Sequence, residues 1–217
     1  MKKAILYATT AIAALSSCAQ QRGTSEQTSA DDKVPGKVLV VVDVQRDFFD
    51  PAGSLYVTGS EELPAKIAAI ATDYDAVVFT LDWHPGNHCS FKSNGGIWPS
   101  HCVAYTQGAG LADEFAGLLG SDNSNVQIYR KGRQQDKEQY GAFDDLEEDD
   151  IILKWLKGCS SIDVCGIAGD YCVKESTANI LKITSADKVT LLNDCIRSID
   201  DGSALKAFAA ENGIKLK

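Results

Sequence analysis

The sequence predicts an α/β fold: a mainly parallel central sheet of about six strands, with helices on both faces in a three-layer arrangement. Short runs of β-branched and other apolar residues recur from residue 37 onward, and such runs are typical of strands that are buried on both faces. Between these runs lie longer stretches with apolar residues at helical spacing. Strands that alternate with helices indicate crossover connections, and crossovers produce a parallel sheet.

The elements follow in order along one predicted domain, residues 37–217, which is long enough to bury a core of its own. The predicted strands cover residues 37–43, 76–82, 126–131, 162–168 and 188–194, with a short last strand at 213–216. The predicted helices cover residues 61–75, 110–120, 145–157, 172–186 and 202–212. Residues 83–108 show no periodicity, and we expect a functional loop there, because unstructured segments of that length in compact domains usually carry function.

The N-terminal 36 residues are predicted to lie outside this domain. Two lysines precede an apolar run over residues 4–15, which is too short to span a bilayer as a helix. Small residues then lead into Cys18, and the whole resembles a bacterial lipoprotein signal peptide over residues 1–17. Cys18 would be the lipidated residue of an exported protein, anchored to the membrane on its periplasmic or outer-membrane side; an ordinary signal peptide is the alternative. Residues 18–36, rich in Gln, Ser, Thr and Asp, would form a disordered tether.

The composition excludes some classes of partner. The formal net charge is −9 and the acidic residues are scattered, so nucleic-acid binding, which needs a basic face, is not expected. Seven cysteines in an exported protein would normally suggest disulfides, but the spacing of the six that follow Cys18 matches no small disulfide scaffold. Cys89 and Cys102 could pair. The sequence leaves that pairing open, and it leaves a homo-oligomer open as well.

Four polar side chains stand where predicted strands end. Asp43, Asp82 and Lys131 close the first three strands, and Cys172 follows the fourth and opens a helix. Ligands of parallel sheets bind beyond the carboxyl ends of the strands, so we expect these side chains to meet there. A helix start and a nearby lysine would lower the pKa of Cys172 and make it a nucleophile. A carboxylate could accept its proton, and the backbone amides of residues 168–172 could hold an oxyanion.

All three histidines lie between residues 84 and 101. Asp82 and His84 are two apart in an extended segment, so both can face the same side and bind a divalent transition metal together with a later histidine. Zinc is the expected ion, with iron or manganese as alternatives. Two histidines and one carboxylate also occur in non-haem iron oxygenases, and a lipoprotein that only binds a metal or ligand is a further alternative.

Five motifs resemble those of the nicotinamidases, which are isochorismatase-like hydrolases, in order and spacing. They are Asp43-x-Gln45-x-Asp47-Phe48, Asp82-Trp83-His84-Pro85-x-x-His88-x-Ser90-Phe91, Trp98-Pro99-x-His101-Cys102, Lys131-Gly132 and Gly166-x-Ala168-x-Asp170-Tyr171-Cys172-Val173. The resemblance covers essentially the whole predicted domain. It implies an isochorismatase-like fold and hydrolysis of nicotinamide to nicotinate and ammonia through a cysteine thioester, in NAD salvage, with pyrazinamide as a further substrate.

The resemblance also implies a role for individual residues. The residues that match the family's catalytic triad are Asp43, Lys131 and Cys172. Those that match its metal ligands are Asp82, His84 and His101, with His88 at a position that binds metal in some members. The amides of Ala168 and Cys172 match the oxyanion hole, beside a cis peptide between Ile167 and Ala168. Phe48, Trp98 and Tyr171 match aromatic residues around the substrate ring.

Three positions depart from the family pattern. Gly169 stands where threonine is usual, Gly141 stands where serine is frequent, and Ala104-Tyr105 replaces a pair that commonly contains glycine. Because these positions are expected near the pocket, another small amide or a carbamoyl compound is kept as an alternative substrate.

Overall fold

The computed structural model describes residues 34–120 and 123–217. Its centre is a six-stranded sheet in the order β3-β2-β1-β4-β5-β6, and all neighbouring strands are parallel. The strands are β1 Lys37–Val42, β2 Ala76–Asp82, β3 Val126–Lys131, β4 Ser161–Ile167, β5 Val189–Arg197 and β6 Lys215–Leu216. The predicted fold class and all six predicted strands are confirmed.

Five α-helices accompany the sheet in the described part of the chain. They are α1 Arg46–Phe49, α2 Leu63–Ala71, α3 Ile151–Gly158, α4 Lys174–Ile183 and α5 Ser203–Glu211. The helix α1 was not predicted, because four residues are too few to show a period. The helix predicted over residues 110–120 is wrong: only a short 3-10 turn forms there, at Asp113–Phe115. The start of that segment pairs with the chain after β1 instead, since the carbonyl of Gly110 accepts a hydrogen bond from the amide of Arg46 at 3.0 Å.

The sheet is covered on both faces. Every residue of β2 is buried, and so is every residue of β1 after Lys37. Alternating side chains of a strand point to opposite faces, so full burial requires packing on each side. On one side the ring of Phe79 lies 5.0 Å from that of Phe115. The helices α3 and α4 also contact each other.

The strand order reverses between β1 and β4. The strands β2 and β3 lie on one side of β1, and β4 to β6 lie on the other. Such a switch point leaves a crevice at the carboxyl ends of the two central strands. Gly166 pairs with Val42 there at a φ of 125°, and an added Cβ would lie 2.0 Å from the Val42 carbonyl oxygen. Only glycine at this position therefore lets the carboxyl ends of β4 and β1 lie this close together.

The predicted signal peptide, residues 1–17, and the predicted lipidation site Cys18 lie outside the described residues. Within residues 34–120 and 123–217, no helix is long and apolar enough to cross a membrane. The six cysteines of these ranges are free thiols, so Cys89 and Cys102 are not bonded to each other.

Candidate active site

The four side chains predicted to meet at the sheet edge do meet. Asp43 is the residue after β1, Asp82 and Lys131 end β2 and β3, and Cys172 lies in a single π-helical turn between β4 and α4. The ammonium nitrogen of Lys131 lies 2.8 Å from Oδ2 of Asp43 and 2.5 Å from Oδ1 of Asp82. It also lies 3.5 Å from Sγ of Cys172. All four side chains are buried, so Lys131 is the cation at the centre of the group.

Burial alone would lower the pKa of Lys131, but the charges of Asp43 and Asp82 raise that pKa well above its ordinary value. Lys131 is therefore a permanent cation at neutral pH. Burial likewise acts to raise the pKa of Asp82, but Lys131 and His84 outweigh it and hold that pKa below its ordinary value. Asp82 is consequently an ionised carboxylate.

Asp43 behaves differently from Asp82. Burial raises its pKa, and although Lys131 opposes this, the negative charge of Asp82 acts in the same direction as burial. Its Oδ1 atom accepts a hydrogen bond from the hydroxyl of Thr80 at 2.6 Å. Its Oδ2 atom contacts Lys131 as an ion pair, but without the geometry of a hydrogen bond. Among the described residues, it is the one buried side-chain nitrogen or oxygen that has no hydrogen-bond partner. A carboxylate with a raised pKa, one of whose oxygens has only an ion-pair contact, is suited to accept a proton.

The prediction that the pKa of Cys172 is lowered is wrong for the resting protein. Burial raises the pKa of this thiol well above its ordinary value, and Lys131, although adjacent, does not compensate. Cys172 therefore rests as a thiol, and a nucleophilic role would require a proton acceptor beside it. The turn that carries it is tied to the end of β4, because the carbonyl of Ala168 accepts from the amides of Tyr171 and Val173 at 3.1 and 3.0 Å. The cis peptide between Ile167 and Ala168 is present, as the resemblance implied.

The predicted metal ligands form a compact, buried group. One donor atom each from Asp82, His84 and His101 lies within 4.8 Å of the others. The Nε2 atoms of the two histidines lie 3.5 and 3.9 Å from Oδ2 of Asp82. Their Nδ1 atoms bond to the carbonyls of Gly132 and Pro99, at 2.9 and 2.8 Å. Histidines that bind metal usually hold their second nitrogen in this way, so the arrangement fits a metal ion.

His88 lies beside this group and not within it. Its ring stacks on that of His84 with 4.1 Å between centroids. Its Nδ1 bonds to the hydroxyl of Ser90 at 2.7 Å, and its Nε2 bonds to the carbonyl of Lys137 at 3.1 Å. Both nitrogens are thus engaged, and His88 is placed to support His84 and not to bind metal itself.

A cleft opens onto Cys172 and onto two of the predicted metal ligands, Asp82 and His101. The three predicted aromatic residues, Phe48, Trp98 and Tyr171, line it. Sequence reasoning missed the remaining wall residues, which are Leu55, Val57, Glu138, Tyr140 and Ile199. Tyr140 accepts a hydrogen bond from the indole of Trp98 at 3.0 Å. The buried residues Asp82, His101, Ala168 and Cys172 complete the lining, so the cleft combines aromatic walls with a few polar groups and suits a flat ring with one polar substituent.

A family model described as "Isochorismatase domain" matches residues 37–212. The chain belongs to the isochorismatase family. Among its relatives is the nicotinamidase/pyrazinamidase of Mycobacterium tuberculosis, 36% identical over 163 residues, which make up 70% of this chain and 83% of the relative. The solved pyrazinamidase of Pyrococcus horikoshii in complex with zinc is 33% identical, with a TM-score of 0.69 over 84% of this chain and 99% of that one. A structure from L. infantum in complex with nicotinate is 35% identical, with a TM-score of 0.70 over 83% and 91%.

The three departures from the family pattern lie outside the cleft lining. A Cβ at Gly169 would lie 2.2 Å from the hydroxyl of Ser198, so Ser198 occupies that space. A Cβ at Gly141 would lie 2.6 Å from Nδ2 of Asn179 on α4. Tyr105 is 93% exposed and packs against Trp83. None of these positions contributes to the lining of the cleft in this isochorismatase-family chain.

Proposed function

We propose that this chain is a metal-containing cysteine amidohydrolase that converts nicotinamide to nicotinate and ammonia in NAD salvage, and that it also accepts pyrazinamide. One observation carries the proposal: a single cleft with aromatic walls is lined by the thiol of Cys172 and by two proposed metal ligands, Asp82 and His101. The carboxylate of Asp43, which would accept the thiol proton, has an oxygen within 4.8 Å of the sulfur of Cys172. The nicotinamidase and pyrazinamidase relatives and the nicotinate complex support the same substrate class.

Asp82, His84 and His101 would hold the metal. Two imidazoles and a carboxylate suit zinc, the ion in the Pyrococcus horikoshii complex, and iron or manganese are the alternatives. When bound, the ion supplies a Lewis acid for the pyridine nitrogen and so orients the ring. Phe48 and Trp98 would pack against the ring and place the carboxamide carbon next to Cys172.

The first half of the reaction forms a thioester. Oδ2 of Asp43 takes the thiol proton of Cys172, and the resulting thiolate attacks the carboxamide carbon. The π electrons of the carbonyl move onto its oxygen, which the amides of Ala168 and Cys172 would stabilise. When the carbonyl re-forms, the C–N bond breaks, the nitrogen takes the proton from Asp43, and ammonia leaves. Lys131 stays protonated throughout and offsets the thiolate charge from 3.5 Å.

The second half uses the same carboxylate. Asp43 takes a proton from water while the water oxygen attacks the thioester carbon. The C–S bond then breaks, Cys172 recovers its proton from Asp43, and the acid is released and ionises to nicotinate. One carboxylate thus serves as base and acid twice, and its raised pKa favours the return of the proton in each half.

Ammonia release from nicotinamide, pyrazinamide and a panel of acyclic amides, measured with and without a chelator, tests the proposal. Cys172→Ala should abolish release while metal stays bound, and Cys159→Ala, which removes a buried thiol at the end of α3, should leave it unchanged. Turnover by Cys172→Ala would contradict the assignment of the nucleophile. Faster turnover of acyclic amides would support the alternative substrate class, and tight binding of nicotinamide without turnover would support a binding protein.

We also propose that the protein is an exported lipoprotein anchored through Cys18, where it would hydrolyse external nicotinamide. The support is the pattern of residues 1–18 alone. Cys18→Ala should move the protein from the membrane fraction to the soluble fraction of an expressing bacterium. Equal membrane association of both forms, or unchanged nicotinate release by intact cells that lack the protein, would contradict this proposal.

A further inference from the structure

Strand β2 contains one hydroxyl in an otherwise apolar run that ends at Asp82. This is Thr80, which is fully buried. Burying a hydroxyl costs free energy unless it forms hydrogen bonds, so the groups that Thr80 bonds to indicate its role. The hydroxyl donates to Oδ1 of Asp43 at 2.6 Å and accepts from the amide of Asp43 at 3.2 Å. Thr80 therefore contacts both the backbone and the side chain of the residue proposed as the proton acceptor.

The same residue also holds the backbone of Asp43. The φ of Asp43 is 49°, in the left-handed region that residues with a side chain rarely adopt. The amide of Asp43 is shared between the hydroxyl and the carbonyl of Thr80, both at 3.2 Å. Val42, the last residue of β1, pairs with Thr80 in the sheet register. Thr80 of β2 thus holds the chain where it leaves β1, at the point from which the carboxylate of Asp43 enters the site.

The hydrogen bond makes the two oxygens of Asp43 different. Oδ1 is occupied by the hydroxyl of Thr80, whereas Oδ2 faces Lys131 and is free of any regular hydrogen bond. Lys131 cannot enforce this orientation by itself, because its ammonium is also 2.5 Å from Asp82. Without the hydroxyl, the carboxylate could rotate and present Oδ1 to Lys131 as well.

We propose that Thr80 is a positioning residue, which holds Oδ1 of Asp43 so that Oδ2 remains available to accept the proton of Cys172. This rests on the proposed function of Asp43 in the amidase reaction. Thr80 touches neither substrate nor reacting atoms; it acts through Asp43, in the step where the S–H bond breaks and the proton moves to Oδ2.

Steady-state kinetics of Thr80→Val and Thr80→Ser with nicotinamide test the role. The valine variant keeps the shape and loses the hydroxyl, and we expect its kcat to fall by about tenfold or more. That is a part of the roughly 100- to 10,000-fold that general acid–base catalysis contributes as a whole. KM should stay within about twofold, because no group that binds substrate has changed. The serine variant should restore kcat to within about threefold of the wild type. Thr177→Val removes an equally buried hydroxyl that bonds to the carbonyl of Val173, and it should behave as wild type.

Alkylation of Cys172 by iodoacetamide, followed by mass spectrometry of its peptide, gives a readout that needs no nicotinamide. The rate should fall severalfold in Thr80→Val and recover in Thr80→Ser. If the wild type fails to release ammonia, the proposed function fails, yet these rates still decide the role of Thr80. Thr80→Ala replaces the valine variant if that variant does not fold, and the same fall is expected. Wild-type kcat and alkylation in the variant without the hydroxyl, a change in KM alone, or no recovery with serine would overturn the proposal.

Discussion

Lys131 and Asp82 form a buried ion pair, with 2.5 Å between Nζ and Oδ1. The other carboxylate oxygen of Asp82 faces His84 and His101. One carboxylate therefore belongs to two groups: it holds the lysine beside Cys172, and it completes the proposed metal ligands. Asp82 thus links the proposed nucleophile, through Lys131, to the proposed substrate-holding metal site.

Replacement of Lys131 should damage both stability and turnover. Lys131→Met leaves Asp43 and Asp82 buried without their common cation, and removing one partner of a buried pair costs about 3–5 kcal/mol. We expect a loss of that size in the free energy of unfolding, measured by urea titration, together with loss of ammonia release. Lys66→Met breaks an exposed ion pair with Glu62 and should cost less than about 1 kcal/mol. Equal losses in the two variants would contradict the buried-pair argument.

The two classes of histidine should separate in metal affinity. His101→Ala removes a proposed ligand, and we expect zinc affinity to fall by more than about 100-fold in a chelator competition assay. His88→Ala removes only the ring that stacks on His84. We therefore expect its zinc affinity to fall by about tenfold, the lower end of the losses seen when residues that support metal ligands are replaced. If His88→Ala lost metal as completely as His101→Ala, then His88 would be a ligand after all.

Gly132 keeps a proposed metal ligand in place. An added Cβ would lie 2.4 Å from Cε1 of His84, and the φ of 65° disfavours any side chain. Gly132→Ala should therefore lose zinc affinity as well as about 1–2 kcal/mol of stability. Gly213 is a matched control: its φ is 64°, and no described atom outside its immediate neighbours lies within 4 Å of its Cβ position. Gly213→Ala should lose a similar amount of stability and keep its zinc affinity. If both variants lost zinc affinity equally, displacement of His84 could not be the cause.

The sequence predicted the sheet and the meeting of the site residues because both depend on local patterns. Apolar runs mark buried strands, and the carboxyl ends of parallel strands share one edge, which is where Asp43, Lys131 and Cys172 were expected. The helix over residues 110–120 was wrong because its first residues pair with the chain after β1, a contact far apart in sequence.

Other parts of the site could not be read from the sequence, for a similar reason. Leu55 and Ile199 reach the cleft from loops without periodicity. The direction of the pKa shift of Cys172 depends on burial, which a helix-start argument does not contain. Thr80 did leave a signal, a hydroxyl two residues before Asp82 in an apolar strand, and alternation along the strand could have directed both side chains to the same face.

The last prediction concerns pH. Asp43 must be ionised to take the proton of Cys172, and burial raises its pKa, with repulsion from Asp82 in the same direction and Lys131 in opposition. A raised pKa means that Asp43 keeps its proton at pH values where an exposed aspartate, with a pKa of about 3.9, is ionised. Turnover should therefore be full above this raised pKa and fall as pH drops through it. We expect kcat/KM for nicotinamide to fall on the acid side at a higher pH than an exposed aspartate would produce.

Protonation of His84 and His101 could also produce an acid limb, by releasing the metal. Metal content measured at each pH separates the two causes. If zinc stays bound while kcat/KM falls, protonation of Asp43 causes the acid limb, because metal release would lower zinc content and kcat/KM together. Asp43→Asn should then be inactive across the whole pH range with its zinc retained, because an amide cannot accept the thiol proton at any pH. An acid limb at the pH of an exposed aspartate, or one that tracks zinc loss, would contradict the raised pKa of Asp43 as the cause.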